Sequence, residues 1–304
     1  MNHPDPLPPG AIDTHVHSAP DVIERKIDDL ELVAQARAAG MRAVVLKNHH
    51  NCTCGRAGIL NRLFPDFRAF GGLVLNHAAG GFNCHAVDAA IRMGASHVWM
   101  PTKSAANHQT QFGGRGGLTI MNGAKLRDDV RDILRQIADA DVILATGHLA
   151  PEESRILIEE ALAVGVKRIS VTHPEWGVTA MPVETQRTLA ATGAVYFERC
   201  LVSAHPGAER GILFDTIVQQ IRAVGVGSTI AATDYGMPQF DTPANGMRTY
   251  AARLRDAGFA SEDIRLMFCE NAARLLRLPS PPHDLAPQMV HLPSPLRRHT
   301  SQLP

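Results

Sequence analysis

The nine residues Ala-Ala-Gly-Met-Arg-Ala-Val-Val-Leu, at positions 38–46, decide the fold. They join the end of an amphipathic segment to a glycine and then to a short apolar run. The same arrangement returns at positions 163–171 as Ala-Val-Gly-Val-Lys-Arg-Ile-Ser-Val. A glycine is typical of a helix C-terminus, and an apolar run of about four to eight residues is typical of a strand that is buried on both faces. The repeated unit therefore predicts a helix followed by a parallel strand.

Eight such apolar runs recur along the chain, and amphipathic segments lie between most of them. The predicted strands are Ala11–Val16, Met41–Leu46, Phe70–Leu75, Ser96–Pro101, Asp141–Ala145, Arg168–Thr172, Ala194–Phe197 and Ser228–Thr233. The predicted helices between them are Asp28–Ala39, His85–Met93, Lys125–Ala140, Glu152–Val164, Val183–Ala191 and Ala208–Val224. This alternation predicts an α/β fold, a (β/α)8 TIM barrel in a single domain over residues 11–278. The alternative is a doubly wound sheet, but no Gly-x-Gly-x-x-Gly follows the first strand.

Some segments depart from the repeat. Ser104–Gly123 is polar, contains five glycines and forms an insertion after the fourth strand. Two further helices, Asn245–Asp256 and Glu262–Leu276, follow the eighth strand. Residues 1–10 form an N-terminal segment, and the Pro-rich residues 279–304 are expected to be a disordered or docked tail.

Charge and cysteine content narrow the class of protein. The 304 residues include 30 Lys and Arg against 30 Asp and Glu, so the formal net charge is zero. Nucleic acids and anionic membranes need clustered positive charge, so neither is an expected partner. No apolar run approaches the roughly 18 residues that span a bilayer. The five cysteines are an odd number scattered along the chain, which favours a reducing cytoplasm over a disulfide framework. We expect a cytoplasmic protein that acts on a small molecule. The sequence does not decide between a monomer and a homo-oligomer.

Polar residues stand where the predicted strands end, which in a barrel is the rim of the active site. His15 and His17 end the first strand, and side chains two apart on a strand point to the same face. His148, His173 and Asp234 end the fifth, sixth and eighth strands. Three or four imidazoles with a carboxylate suit Zn²⁺ or another first-row divalent metal. The pattern therefore predicts a site for such an ion.

These residues resemble the ligand set of the amidohydrolase superfamily of metal-dependent hydrolases. Glu270–Leu276 also looks like the Asn-x-Ala-x-Leu-Leu helix that often closes such barrels. The runs LKNHH, GGLVLNHAAGG and VWMPT are similar to a poorly characterised branch of predicted amidohydrolases. The resemblance implies that His15 and His17 bind one ion, that His148 and His173 bind a second, and that Asp234 touches the first.

Binuclear members of that superfamily usually carry a bridging carboxylated lysine at the end of strand four. Here Lys103 lies past Pro101, at the edge of the insertion, whereas Lys47 directly follows an apolar strand and shares the inward phase of Val45. We therefore favour Lys47 as the carboxylated lysine. The alternative is that each lysine is a solvated or substrate-facing cation. Without a bridge, the site could hold one metal only.

The ligand set predicts hydrolysis of an amide, lactam, imide or lactone. A metal ion lowers the pKa of its bound water from 15.7 to about 7, and Asp234 can act as general base and then general acid. One alternative is a mononuclear metal-dependent lyase, such as a decarboxylase or hydratase, on the same barrel. The other is a non-catalytic barrel that binds a metabolite.

Loops after the strands should select the substrate. Arg115, between pairs of glycines, could bind a carboxylate or phosphate from a mobile lid. Arg199 is expected near the barrel mouth, with a structural ion pair as the alternative. The candidate substrate-binding residues are His49, Asn76, Lys103, His108, Arg115 and Arg199. Because aromatic residues are few, a small polar or anionic substrate is favoured over a large apolar one.

Overall fold

The computed structural model describes residues 7–279, which form a TIM-barrel-like α/β fold. The strands are β1 (Ile12–Val16), β2 (Ala43–Leu46), β3 (Arg68–Phe70), β4 (Gly72–Val74), β5 (His97–Trp99), β6 (Met121–Asn122), β7 (Lys125–Leu126), β8 (Ile143–Ala145), β9 (Ile169–Thr172), β10 (Val195–Cys200) and β11 (Thr229–Ala232). The helices are α1 (Asp29–Ala38), α2 (Cys54–Leu63), α3 (Cys84–Arg92), α4 (Ala106–Gln111), α5 (Asp128–Asp139), α6 (Pro151–Ala163), α7 (Val183–Ala190), α8 (Phe214–Val224), α9 (Pro243–Asp256), α10 (Ser261–Arg265) and α11 (Asn271–Leu276).

The parallel strands form two sheets, one of order β1-β2-β3 and one of order β11-β10-β9-β8-β5-β4. β3 and β4 are consecutive in the chain and are separated by Gly71. A side chain at Gly71 would collide with the backbone of Thr53, so the glycine permits this close packing. β6 and β7 form a separate antiparallel hairpin.

Backbone hydrogen bonds join the end of β1 to the residues that follow β11. The Asp234 amide donates to the His15 carbonyl, and the His17 amide donates to the Tyr235 carbonyl, both at 2.9 Å. β1, an edge strand of the first sheet, and β11, an edge strand of the second, are therefore neighbours at this point. This contact brings the first and last predicted ligand segments side by side.

Apolar side chains hold the helices to the outside of the sheets. On α5, for example, Val130, Ile133, Leu134 and Ile137 are fully buried, as expected for a helix with one apolar face. A second apolar cluster is made mainly of strand side chains, among them Trp99. Asn271, at the start of α11, donates to the Thr229 carbonyl at 2.7 Å and so fixes the beginning of β11.

The structure corrects several predicted elements. Helix α2 was not predicted, because it contains two glycines and its apolar residues show only a weak amphipathic pattern. The predicted insertion contains helix α4 and strand β6 rather than loop alone. The helix predicted from Lys125 begins at Asp128, and the one predicted from Ala208 begins at Phe214.

The last predicted helix is interrupted between α10 and α11 by a π-helical turn at Leu266–Glu270. Among residues 7–279, none of the helices has the length and apolar character of a membrane span. The predicted tail lies outside the described residues apart from Pro279, as does the N-terminal segment before Leu7.

Candidate metal centre

Three imidazoles converge on the carboxylate of Asp234. The Nε2 atoms of His15 and His17 lie 3.1 Å and 3.0 Å from its Oδ1, and Nε2 of His173 lies 3.2 Å from its Oδ2. The three histidines are buried, whereas Asp234 keeps 19% of its side chain exposed. Residues at and just after the ends of β1, β9 and β11 therefore meet at one point.

The backbone at the strand ends aims these side chains. His15 and His17 have the two-residue spacing that places side chains on one face of a strand. His173 and Asp234, which come just after β9 and β11, have left-handed backbone conformations with φ of 51° and 54°; Asp and His tolerate this conformation better than most residues. Gly236 has φ of 141°, and a side chain there would collide with the His17 carbonyl. This glycine lets the two chain segments approach each other.

Glu198, from β10, holds His15 from the side opposite Asp234. Its Oε2 lies 2.9 Å from Nδ1 of His15, and its Oε1 accepts a hydrogen bond from the Thr14 hydroxyl at 2.6 Å. A carboxylate that accepts from Nδ1 places the proton there and leaves Nε2 free to bind a metal. Cys200 lies beside the same ring, with its Sγ 3.5 Å from Nδ1.

Burial and neighbouring charges set the protonation of these groups. Burial alone would raise the pKa of Asp234, but its contacts with the three imidazoles hold that pKa well below its usual value. Burial likewise opposes ionisation of Glu198, yet His15 and Thr14 lower its pKa to about 2. Burial lowers the pKa of His17 to about 3. The centre thus combines ionised carboxylates with an unprotonated His17 imidazole, which is the state in which these groups bind cations.

The donor set fits a first-row divalent metal. The donor atoms of His15, His17 and Asp234 lie within 4.8 Å of one another, as do those of His15, His173 and Cys200. Nε2 of His15 is buried, and it lies 3.1 Å from Oδ1 of Asp234 without the alignment of a good hydrogen bond. Imidazole nitrogens with carboxylate oxygen are typical of zinc and related ions rather than of Mg²⁺ or Ca²⁺.

Lys47, which directly follows β2, is buried. Its side chain is 1% exposed, and Nζ has no hydrogen-bond partner among the described residues. It lies 5.6 Å from the centre of the Trp99 ring, and burial lowers its pKa. Lys103 is exposed at the rim of the same cavity. The two lysines thus have different surroundings, and of the two only Lys47 is buried near the candidate metal ligands.

His148 and His49 lie beside the three converging histidines. The ring of His148 is 5.7 Å from that of His173, and its Nδ1 is 3.0 Å from Nδ1 of His108. The ring of His49 is 4.9 Å from that of His17. His148 is therefore near the centre, but it does not contact Asp234 as the three converging histidines do.

A cavity of about 500 Å³ opens above these side chains. Trp176 and Phe112 form an aromatic wall with rings 6.3 Å apart, and His108 lies against Phe112 at 4.5 Å. The residues that line the cavity are His17, Arg25, Lys47, His49, Lys103, His108, Phe112, His148, His173, Trp176, Val202, Ser203, Gly207, Ala208, Glu209, Asp234, Met237, Gln239 and Phe240. The site therefore has more aromatic surface than the sequence led us to expect.

Of the six candidate substrate-binding residues, His49, Lys103 and His108 line the cavity. Asn76 is instead a brace, because its side chain bonds to the His49 carbonyl and to the Thr102 hydroxyl and amide. Arg115 is exposed and does not line the cavity.

Arg199 does not reach the mouth where it was expected. It is fully buried, pairs with Glu175 at 2.8 Å and donates to Gln186 at 2.9 Å. Its position matches the structural ion pair that was the alternative interpretation.

Three residues of the site were missed from the sequence. Glu198 was missed because the seventh strand was ended at Phe197, although Glu198 and Cys200 continue its alternation. Trp176 follows His173, the candidate ligand just after β9, by three residues, and this spacing is a usable signal. Arg25 lies in the loop after β1 and gave no signal, since its position depends on how that loop folds back.

Known structures share this fold. An amidohydrolase from Burkholderia multivorans solved with bound zinc is 12% identical, with a TM-score of 0.59 over 88% of this chain and 99% of that chain. An amidohydrolase from Pseudomonas aeruginosa is 13% identical, with a TM-score of 0.58 over 88% and 95% of the two chains. A dihydroorotase is 14% identical, with a TM-score of 0.59 over 89% of this chain and 70% of that chain. The resemblance to the amidohydrolase superfamily is thereby confirmed at the level of the fold.

The sequence places the chain more narrowly. Residues 10–198 match the model of a family of unknown function, DUF6282, and the chain belongs to that family. No curated protein matches it.

Proposed function

We propose that this protein is a divalent-metal-dependent hydrolase that opens an amide, lactam, imide or lactone bond in a small polar molecule. The observation that carries the proposal is the convergence of His15, His17 and His173 on the Asp234 carboxylate at 3.0–3.2 Å. Burying several ionisable groups together is costly unless they bind something that compensates them. We also propose that the strands complete a closed eight-stranded barrel and that the protein acts in the cytoplasm.

A first-row ion held by His15, His17 and Asp234 would supply an activated water and would polarise the substrate carbonyl. Asp234 is the general base: it accepts the proton of the attacking water and returns it to the leaving group. Glu198 keeps the proton of His15 on Nδ1, and Trp176 screens one side of the cavity from water. The aromatic wall and the rim side chains orient the substrate.

Lys47 is the proposed bridging residue if two ions bind. Its neutral amine would react with CO₂ to give a carbamate and release one proton, which would make the side chain an anionic ligand. The buried position of Nζ supports this role, because burial favours the neutral amine that the reaction needs. His148 with His173 would then hold the second ion.

A mononuclear lyase is the second candidate, and one observation favours it. Both tight groups of donors contain His15 and neither contains His148, which suits a single ion. Superfamily folds with one ion also support decarboxylation or hydration. A barrel that only binds a metabolite is the third candidate.

Metal analysis and a substrate panel test the proposal. Protein purified without chelator should contain one or two first-row ions per chain, and it should hydrolyse at least one member of a panel of cyclic amides, imides and lactones. His15→Ala and Asp234→Asn should abolish turnover, whereas Arg115→Gln, outside the cavity, should leave it unchanged. Full turnover by Asp234→Asn, or protein that takes up no zinc, would remove the hydrolase proposal.

Incorporation of ¹⁸O from labelled water into the product distinguishes hydrolysis from decarboxylation. The number of ions bound by Lys47→Met tests the two-ion form.

A further inference from the structure

Arg25 is a buried cation on the wall of the cavity, and the proposed hydrolysis gives it no task. Its side chain is 2% exposed, although it lies in a loop after β1. Nε and Nη2 both bond to Oδ2 of Asp21, at 2.7 Å and 2.5 Å. Nη2 also lies 3.3 Å from Nδ1 of His17. These contacts fix the guanidinium plane next to the metal centre.

Among the described residues, the remaining nitrogen of Arg25 has no oxygen partner. Nη1 donates to Sδ of Met237 at 3.2 Å, and a thioether sulfur is a weak acceptor. Because Arg25 and Met237 both line the cavity, a ligand there can reach Nη1. A carboxylate oxygen would replace the weak acceptor with a charge-assisted hydrogen bond.

With a divalent ion bound, the charges of the cavity wall favour an anion. Arg25 and Lys103 line it as cations, against the carboxylates of Asp234 and Glu209, and Lys47 is left out of this count because its neutral amine is the form proposed above. Asp21 offsets part of the charge of Arg25, but a bound divalent ion would add two positive charges. An anionic ligand would therefore meet a wall of opposite sign.

Trp176 adds a flat apolar surface to this charged cavity. Its ring lies 5.1 Å from that of His148 and 5.5 Å from that of His173, edge to face in both cases. Phe112 extends the same wall. Trp176 is only partly buried, so part of its ring is open to a ligand. Flat rings pack well against such a wall.

We propose that the ligand of this cavity is a planar ring that carries a carboxylate, that Arg25 binds the carboxylate through Nη1, and that Trp176 contacts the ring. The proposal deepens the proposed function, since a hydrolase would act on a bond of that ring or of its substituent. The binding itself does not depend on hydrolysis. Arg25 is thus a specificity residue rather than a catalytic one.

Equilibrium binding of three probes tests the proposal in metal-free and in zinc-loaded protein. The probes are isophthalate, its neutral isostere isophthalamide, and the non-planar dicarboxylate glutarate. The chain has two tryptophans, and Trp99 is buried among the strands, so ligand-induced quenching should report on Trp176. We expect isophthalate to bind more tightly than either other probe. Isophthalamide binding as tight as that of isophthalate would overturn the proposal.

Variants separate the two contacts, with calorimetry as the readout. Arg25→Met should weaken isophthalate about tenfold or more and should leave isophthalamide unchanged. Trp176→Leu should weaken isophthalate but not glutarate. Arg115→Met is the matched control, since this arginine is outside the cavity, and it should bind isophthalate as the wild type does.

The loss of Arg25 leaves Asp21 buried without its partner, so the single variant could misfold. The double variant Asp21→Asn with Arg25→Met removes both charges and should show the same loss of isophthalate affinity. Wild-type affinity in either folded variant would overturn the role of Arg25. Because the metal-free protein is measured separately, a protein that binds isophthalate but never hydrolyses anything would refute the proposed function and leave this inference standing.

Discussion

Replacement of Glu198 by glutamine should weaken metal binding without removing any metal ligand. The Glu198 carboxylate can only accept hydrogen bonds, and it accepts from Nδ1 of His15 at 2.9 Å and from the Thr14 hydroxyl at 2.6 Å. Glutamine has nearly the same shape, but one of its two ends is a donor. If that end faces His15, the imidazole proton moves to Nε2, which is the atom that would bind the ion.

The size of the effect follows from the kind of contact. Loss of a carboxylate that holds a metal-binding histidine typically lowers metal affinity by about 10- to 100-fold. This corresponds to about 1.4–2.7 kcal/mol. The pKa of Glu198 is lowered to about 2, so its charge is present throughout a neutral assay. Glutamine therefore loses both the charge and one acceptor.

Zinc competition with a chromophoric chelator at neutral pH measures this affinity. Thr14→Val is the matched control: it removes the other contact of Glu198 but keeps the carboxylate on His15, and it should change the affinity much less. Thermal unfolding of both metal-free variants checks that they fold. A folded Glu198→Gln protein with wild-type zinc affinity would refute the assigned role of Glu198.

Three further predictions concern stability. Arg199→Met leaves Glu175 buried without its ion pair and should lower the free energy of unfolding by about 3–5 kcal/mol, measured in urea, with metal content unchanged; a loss below 1 kcal/mol would argue against the buried pair. Asn76→Ala removes the brace between two strand ends and should cost about 1–3 kcal/mol, so a variant of unaltered stability with an altered KM would restore Asn76 as a substrate contact. Burial lowers the pKa of His97 to about 3 from 6.5, so between those values the unfolded chain binds more protons and stability falls as pH falls. At pH 5 this amounts to about 2 kcal/mol, and His97→Asn should lose correspondingly less stability than the wild type between pH 7 and pH 5.

The sequence carried enough information to predict much of the fold and the core of the centre. His15, His17, His173 and Asp234 could be found because each stands at the end of an apolar run, and parallel strands bring such ends to one edge. The glycines that end helices just before strands made the repeated helix–strand unit recognisable. Helix α2 escaped because its apolar residues follow no clear period and glycine lowers helix propensity.

The parts that could not be predicted depend on side-chain direction and loop path. Glu198 and Arg199 are adjacent on β10, and successive residues of a strand point to opposite faces. Glu198 therefore reaches His15, whereas Arg199 reaches Glu175 on the other face of the sheet. The predicted strand ended at Phe197, three residues before the observed end at Cys200, so the directions of these two side chains could not be assigned. Arg25 reaches the cavity only because its loop folds back, with the Lys26 amide bonded to the Gly236 carbonyl at 2.8 Å.

Gly236 has a consequence for how variants of this protein will be interpreted. Any β-carbon at that position would push the main chain of His17 outward, and the imidazole would leave its place with it. A saturation-mutagenesis screen should therefore rank position 236 among the most intolerant of the chain, beside residues that donate ligand atoms. Genetic intolerance there would measure the room between two strands and not participation in chemistry.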